Sequence, residues 1–166
     1  RSFRNEGMST QHNPEFTMLE FYMAYATYED LIALTEDMFN KLAIEVCGSE
    51  SVAYQERQIS FAKPFARMTL AESLQNHLKL DATQIQDRAV LLKACESHSI
   101  KIQNAQDCDL GIIQLTLFEE LIEKTLISPT FITHYPVSVS PLSRRSDLQP
   151  DVTERFELFI CGREIS

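Results

Sequence analysis

From residue 3 the sequence reads Phe3-Arg4-Asn5-Glu6-Gly7, and from residue 12 it reads His12-Asn13-Pro14-Glu15-Phe16-Thr17-Met18-Leu19-Glu20-Phe21-Tyr22. A short polar segment passes through a glycine-containing loop into an almost wholly apolar run, a pattern typical of two strands joined by a loop. Residues two apart share one face of a strand. We therefore expect Arg4 and Glu6 to lie side by side, and the next strand to present one face made of Phe16, Met18, Glu20 and Tyr22.

Glu20 is a carboxylate inside that apolar run. An ionised carboxylate is rarely buried without a partner, because removing its hydration costs several kcal/mol or more. We therefore expect a cationic group to face Glu20, supplied either by the protein or by a ligand.

The composition is that of an ordinary soluble globular protein, with 44% apolar and 23% charged residues in a chain of 166. This length suffices for one domain with its own core. The net charge of -9 argues against binding of nucleic acid by bulk charge, since that depends on Lys and Arg contacts to phosphates. Contact with RNA through a local basic patch stays open. No apolar run approaches the about 20 residues that span a bilayer, so we expect no membrane contact.

The four cysteines are far apart in the sequence and form no CxxC pair; they are Cys47, Cys95, Cys108 and Cys161. They lack the spacing of zinc ligands, and a disulfide framework is not expected in a chain of this size with so large an apolar fraction. We interpret the cysteines as reduced thiols in a cytoplasmic protein.

The middle of the chain has the signals of helices. Thr27-Tyr28-Glu29-Asp30 and Thr69-Leu70-Ala71-Glu72 each have the shape of a capping box. Residues 51–66 are predicted to be extended, with a turn near 55–57, and residues 87–99 and 112–126 to be helical. After the first box, apolar residues recur at helical spacing and predict a helix that ends at Gly48; they are Leu31, Leu34, Met38, Leu42 and Val46.

From residue 128 the pattern becomes that of strands. Residues 130–135 and 137–139 are predicted to be strands separated by Pro136, residues 143–151 a polar loop, and residues 156–161 a strand with alternating side chains. The fold class is therefore α+β, an antiparallel β-sheet flanked by helices and closed by sequence-distant pieces. We treat residues 1–166 as part of one domain with a mainly helical insert at about 67–127.

The residue types around the first loop suit a nucleotide. Arg4 suits bidentate binding of phosphate or carboxylate, and Phe16 suits stacking on a base. Ordinary explanations stay open at this point: Arg4 with Glu6 as a surface ion pair, Phe16 as a core residue, and His12 as a loop residue.

The same residues resemble motif 2 of the class II aminoacyl-tRNA synthetases. The continuation Glu20-Phe21-Tyr22-Met23-Ala24-Tyr25 is similar to the lysyl-tRNA synthetases. A second block agrees with that family and stands in the expected order; it comprises Pro129-Thr130-Phe131-Ile132, Tyr135-Pro136, Ser140-Pro141-Leu142, Glu154-Arg155-Phe156-Glu157 and Gly162-Arg163-Glu164-Ile165. The resemblance covers essentially the whole chain.

The resemblance implies a site for ATP. Arg4 matches the arginine that bridges the ATP α-phosphate and the lysine carboxylate, and is thus the catalytic residue. Glu6 matches the residue that reads the adenine amino group, and Phe16 the aromatic that stacks on adenine. The remaining ATP-binding positions implied are Asn5, His12 and Asn13. Gln11 stands where some relatives carry a basic residue, which puts one γ-phosphate contact in doubt.

The resemblance also implies a lysine pocket and a metal site. Glu20 and Tyr22 match residues that hold the lysine substrate, so that the cation facing Glu20 is the substrate ε-ammonium. Glu164 matches the first of two glutamates that hold Mg²⁺ on the triphosphate, a hard cation on hard oxygen ligands. The resemblance places its companion several residues later, past residue 166.

Several other polar residues have plainer interpretations. His77 and His98 are interpreted as solvent-facing helix residues, and His134 lies in a strand at a position that no motif assigns. Arg144 and Arg145 lie in the polar loop and are interpreted as a solvated turn, with contact to the tRNA acceptor end as the alternative.

The function implied is that of a cytoplasmic lysine–tRNA ligase, which makes lysyl-adenylate from L-lysine and ATP and transfers lysine to tRNA(Lys) as a homodimer. The first and third class II motifs and an anticodon-binding domain would lie outside residues 1–166, so the fragment alone is expected to be inactive. Two alternatives are a paralogue that attaches lysine to a protein, an elongation factor, and a binding module that has lost the chemistry.

Overall fold

The structure is a computed structural model that describes residues 1–5, 7, 12–102, 104–105 and 107–166. Its helices are α1 (Tyr28–Cys47), α2 (Leu70–Leu78), α3 (Ala82–Ile85), α4 (Arg88–Ser97) and α5 (Leu110–Leu121). Its strands are β1 (Ser2–Phe3), β2 (Glu15–Phe16), β3 (Ser51–Tyr54), β4 (Arg57–Ser60), β5 (Ala66–Thr69), β6 (Thr130–Thr133), β7 (Phe156–Ile160) and β8 (Arg163–Glu164). Two 3-10 turns cover Glu123–Thr125 and Val137–Val139.

The main sheet has four strands in the order β5-β6-β7-β8. β6 with β7 and β7 with β8 are antiparallel, whereas β5 and β6 are parallel. A parallel pair needs a long crossover, and helices α2 to α5 form it. The predicted α+β class is confirmed, and the sheet is mixed. The sequence-distant strand that completes it is β5; β1 and β2 form a separate two-stranded sheet.

The two predicted capping boxes begin helices. At the start of α1 the Asp30 carboxylate accepts from the Thr27 N–H at 2.7 Å, and at the start of α2 the Thr69 hydroxyl accepts from the Glu72 N–H at 3.0 Å. Gly48 ends α1 with φ 75°, a left-handed conformation that suits glycine. Both starts and this end were predicted correctly, because capping uses local contacts.

The residues that predict α1 are not the ones that form its buried face. Leu42 and Val46 are exposed, and the buried side chains are Ile32, Thr35, Glu36, Asn40 and Ala43. Polar contacts explain the orientation: Glu36 accepts from the Phe65 N–H at 2.7 Å, and Asn40 donates to the Phe61 carbonyl oxygen at 2.8 Å. These bonds turn the polar residues of the helix toward the segment that leads into β5.

The main sheet is buried on both faces. Ile132 and Phe159 pack with the helices of the crossover. Phe131 and Leu158, one position away on the same two strands, pack on the opposite face with Ile32 of α1. All four residues of β6 are buried, as is typical of a strand covered from both sides.

The strand predicted at 137–139 is wrong. Val137–Val139 is a 3-10 turn, and β6 has already ended at Thr133. His134 takes a left-handed conformation with φ 57°, which turns the chain out of the sheet. Pro136 then follows, and proline cannot donate to a ladder of hydrogen bonds.

Gly111 lies where α5 meets this 3-10 turn. The Asp109 carboxylate caps α5 by accepting from the Gly111 N–H at 2.8 Å and from the Ser138 hydroxyl at 2.5 Å. A Cβ on Gly111 would lie 2.5 Å from the Pro136 Cβ. The absence of a side chain therefore allows the helix to touch the turn.

We expect Gly111→Ala to destabilise the chain by about 1–3 kcal/mol, the usual cost of overpacking. Helix propensity alone predicts the opposite sign, since alanine is favoured over glycine in helices by about 1 kcal/mol. Urea unfolding measures the difference. Gly7→Ala is the control, because nothing lies within 4 Å of its Cβ position; equal stability of the Gly111 variant and the unchanged chain would contradict the close packing.

Candidate functional site

A short hairpin brings Arg4 and Phe16 together. β1 and β2 are antiparallel, with Ser2 opposite Phe16, and the Arg4 N–H donates to the Pro14 carbonyl oxygen at 3.0 Å. The Arg4 guanidinium carbon lies 5.5 Å from the centre of the Phe16 ring, a distance suited to a cation–π contact. The hairpin thus presents a cation and an aromatic face side by side.

The other predicted nucleotide residues lie along the same loop. Asn5, His12 and Asn13 are exposed, and Glu6 lies outside the described residues. Arg1 and Glu15 form an ion pair at 2.9 Å across the two ends of the hairpin. The side chains of Asn5, His12 and Asn13 are therefore accessible from solvent.

The predicted strand through Glu20 and Tyr22 is wrong, and so is the predicted burial of Glu20. β2 ends at Phe16, residues 17–27 form no strand, and Glu20 is exposed. Tyr22 is 96% exposed. The apolar pattern predicted a covered strand, but in the described part of the chain no neighbouring strand pairs with this segment beyond Phe16.

Glu164 lies in a second group of polar residues, in a cleft of about 210 Å³. In β8 it stands opposite Phe159 of β7. The charged and phenolic side chains that share the cleft are Glu119, Glu123, Tyr135, Arg155 and Glu157. The hairpin and this cleft belong to different sheets.

Glu157 is the residue that the sequence analysis missed. Its Oε2 accepts from the Tyr135 hydroxyl at 2.6 Å, and its Oε1 accepts from Arg155. The Glu157 side chain is only 12% exposed. One signal was present in the sequence, because Glu157 alternates with apolar residues in the segment that forms β7. In the structure Phe159, two residues after Glu157, stands opposite Glu164 of β8.

The electrostatics of the cleft favour a cation. Burial raises the pKa of Glu157, and burial together with neighbouring carboxylates, Glu164 among them, raises the pKa values of Glu119 and Glu123. Four carboxylates face one guanidinium, that of Arg155. Carboxylate oxygens suit a hard divalent cation.

The carboxylates fit Mg²⁺ as a partial donor set. Within the described ranges no group of three or more His, Cys, Asp or Glu side chains is placed to hold a metal ion by itself. Mg²⁺ is usually held by one or two carboxylates together with substrate phosphates and water. The pair Glu157 and Glu164 is consistent with that arrangement.

Comparison with known proteins assigns the family. The family model described as tRNA synthetases class II (D, K and N) matches residues 1–166. The chain belongs to this family of class II tRNA synthetases. This agrees with the resemblance of the hairpin to motif 2 and of the β7–β8 region to the second block.

The relatives of this class II chain are named lysine–tRNA ligases. It is 50% identical to the protein of Magnetococcus marinus over its whole length and covers 33% of that protein. The corresponding identities are 48% for a Psychrobacter species, of which it covers 32%, and 49% for Vesicomyosocius okutanii, of which it covers 33%. The chain therefore spans about a third of the length of the curated relatives it matches.

The three histidines and two arginines that received plainer interpretations lie outside the hairpin and the cleft. His77 and His98 are exposed at helix ends, as interpreted from the sequence. The His134 ring meets Tyr28 edge-on. Arg144 forms ion pairs with Asp147 and Glu154, and Arg145 is exposed.

A search of the described residues for membrane-spanning helices found none that is long and apolar enough to cross a bilayer.

Glu119 is exposed on α5, but partial desolvation at the cleft and the carboxylates of Glu123, Glu120 and Glu164 raise its pKa, which predicts a small pH-dependent effect on stability. Because the folded-state pKa of Glu119 exceeds its unfolded-state pKa, ionisation of this carboxyl opposes folding. The free energy of unfolding therefore falls as pH rises from the unfolded-state pKa to the folded-state pKa. We expect Glu119→Gln to raise the urea midpoint at pH 7, and the difference to vanish below about pH 4, where the carboxyl is protonated in both states. Glu45→Gln, at an exposed position of α1, is the control; a gain that persists at low pH would contradict this origin.

Proposed function

We propose that this chain is the central part of the catalytic domain of a lysine–tRNA ligase, which activates L-lysine with ATP and transfers it to tRNA(Lys). The observation that carries the proposal is identity of 48–50% along the whole chain to proteins of that name. The placement of Arg4 over Phe16 and of Glu157 beside Glu164 supports it. Because the chain spans a third of these relatives, we propose that residues 1–166 alone have little or no activity.

Arg4 would stabilise the transition state of adenylate formation. The lysine carboxylate attacks the α-phosphorus of ATP, and negative charge builds up on the phosphoryl oxygens. A guanidinium fixed beside these oxygens stabilises that charge and aligns the carboxylate. Stacking against Phe16 at 5.5 Å limits the orientations of Arg4 before ATP binds.

The hairpin would bind the nucleotide. Phe16 is half-buried, so part of its ring is accessible and could stack on adenine. Asn5, His12 and Asn13 would lie near the phosphates, and Glu6 would accept from the adenine amino group. Stacking contributes about 1–3 kcal/mol per base, and the polar contacts supply orientation.

Glu20 and Tyr22 would hold the lysine side chain. Both are exposed, so the carboxylate is accessible to the substrate ε-ammonium. In this proposal the rest of the longer protein covers the segment, and the substrate cation then offsets the cost of burying Glu20. A neutral analogue would leave Glu20 unpaired, which is a strong basis for discrimination.

Glu157 and Glu164 would hold Mg²⁺. Their carboxylate oxygens are the hard ligands that such a cation prefers, and the bound cation would supply neutralisation of the phosphate charge of ATP. The sequence analysis placed the companion of Glu164 after residue 166, whereas the cleft supports a companion within the chain. Glu119 and Glu123 add to the negative potential of the cleft.

The remaining parts of the proposal concern the whole protein. We propose that residues 67–127, which contain α2 to α5, are a helical insert in the catalytic domain. We also propose a cytoplasmic homodimer. With a net charge of -9, this segment contributes little general attraction for RNA, so tRNA(Lys) would be bound mainly by other regions.

Lysine-dependent ATP–pyrophosphate exchange on the full-length protein tests the proposal. We expect exchange with L-lysine in the unchanged protein and a loss of at least about 100-fold in kcat/KM for lysine in Glu20→Gln, since the buried ε-ammonium loses its counter-charge. Glu15→Gln, at an exposed glutamate five residues away, is the control. Exchange that survives Glu20→Gln would remove Glu20 from the lysine pocket, and no exchange in the unchanged protein would favour the silent binding module.

Glu164→Gln tests the metal site in the same assay. We expect exchange to fall by about 100-fold at low Mg²⁺, the cost typical of removing one group that stabilises charge in a transition state, and to recover in part at high Mg²⁺. Glu56→Gln, at an exposed position in the β3–β4 turn, controls for charge. An unchanged dependence on Mg²⁺ in Glu164→Gln would contradict the assignment.

A further inference from the structure

Tyr135 is a nearly inaccessible residue with a polar atom aimed into the cleft. It is 1% exposed and lines the cleft with Glu157 and Glu164. We propose that Tyr135 is a positioning residue, whose hydroxyl holds the Glu157 carboxylate in the orientation that receives the divalent cation. The inference rests on the proposed function, because it concerns the metal site of that function.

The Tyr135 ring is fixed from several sides. It packs in the core formed by the crossover helices and the sheet. Its carbonyl oxygen accepts from the Thr153 N–H at 2.8 Å and from the Thr153 hydroxyl at 3.0 Å. His134 before it is held at φ 57°, and Pro136 follows it. The hydroxyl therefore occupies a defined position at the cleft.

The Glu157 carboxylate is held by two different donors. Tyr135 donates to Oε2 at 2.6 Å, and Arg155 donates to Oε1. A carboxylate offers about four acceptor positions, so each oxygen keeps a lone pair for another ligand. Two donors on two oxygens prevent the group from rotating about its terminal bond.

Arg155 is itself held away from a two-pronged contact with Glu157. Its Nη1 donates to the Ser140 hydroxyl at 2.6 Å, and its guanidinium carbon lies 4.9 Å from the centre of the Tyr135 ring. Arginine and carboxylate otherwise favour a fork with two parallel hydrogen bonds. Ser140 and Tyr135 together thus keep Glu157 from being fully neutralised by Arg155.

This arrangement explains why a tyrosine and not a phenylalanine is useful here. Without the hydroxyl, Oε2 of Glu157 becomes free to turn toward Arg155 and complete the fork. The carboxylate would then be withdrawn from the cation, while the hydrophobic core would keep the same ring. The loss would therefore affect metal binding more than folding.

Titration of the full-length protein with Mn²⁺, an EPR-visible substitute for Mg²⁺, in the presence of ATP and absence of lysine tests the inference. We expect Tyr135→Phe to weaken Mn²⁺ binding about 10-fold or more, the usual effect of removing the partner that orients a metal ligand. The KM for lysine should be unchanged, and raising Mg²⁺ should restore the exchange rate. Tyr54→Phe removes a hydroxyl from a partly exposed ring in β3 and should bind Mn²⁺ like the unchanged protein.

A double-mutant cycle separates positioning from a general structural effect. In a Glu157→Gln background, Tyr135→Phe should have little further effect on Mn²⁺ binding, because the carboxylate that it orients is gone. Ser140→Ala provides a second variant that leaves the core ring intact. It frees Arg155 to form the fork and should weaken Mn²⁺ binding in the same direction.

The outcomes distinguish the inference from the function on which it rests. Mn²⁺ binding within twofold of the unchanged protein in both Tyr135→Phe and Ser140→Ala would overturn the positioning role and leave the ligase function intact. Full additivity in the cycle would overturn it as well. Failure of the unchanged protein to bind Mn²⁺ with ATP and to catalyse lysine-dependent exchange would overturn both proposals together.

Discussion

The register between β6 and β7 determines the arrangement of everything around the main sheet. Phe131 is opposite Leu158, and Ile132 is opposite Glu157. Because successive side chains of a strand point to opposite faces, a shift by one residue would exchange the two cores. It would place Glu157 on the side of α1 and separate it from the Tyr135 hydroxyl. The same pairing that sorts the apolar residues therefore also creates the polar cleft.

The two polar groups of the chain differ in how strongly the fold constrains them. The cleft carboxylates are supported by a four-stranded sheet and by the crossover helices, so their positions follow from the core. Arg4 and Phe16 lie on a hairpin whose strands have two residues each, and the segment after it is exposed. The acidic group is therefore preorganised by the core, whereas few contacts in the described residues hold the hairpin of Arg4 and Phe16.

Local signals predicted well where structure depends on neighbouring residues. The capping boxes at Thr27 and Thr69 gave correct helix starts, and the motif residues gave the family and the fold class. The buried face of α1 could not be predicted in this way, because an apolar pattern does not register that Glu36 and Asn40 have backbone partners about 20 to 30 residues away. Arg4, Phe16 and Glu20 stood out by residue type, whereas the specific roles of the site residues came from the resemblance and stay predictions.

Glu157 and Glu20 show two opposite ways in which the neighbouring sequence fails to predict the surroundings of a carboxylate. Glu20 stood out because its neighbours in sequence are apolar, yet those neighbours are exposed in the structure. Glu157 was given no role from the sequence, yet it is nearly buried and accepts from the buried Tyr135 hydroxyl. Tyr135 is 22 residues away, and the sequence around Glu157 does not reveal that contact.

The turn between β7 and β8 has a consequence for the order in which the chain folds. A Cβ on Gly162 would lie 2.9 Å from the Lys124 Cα, and the Cys161 and Gly162 N–H groups donate to the carbonyl oxygens of Ile127 and Leu126 at 2.9 and 2.8 Å. The turn thus packs against the segment that follows α5. Since contacts distant in sequence form late when they require loop closure, we expect β8 to settle after the helical crossover has docked. Glu164, which β8 carries, would then be among the last groups to reach its native place.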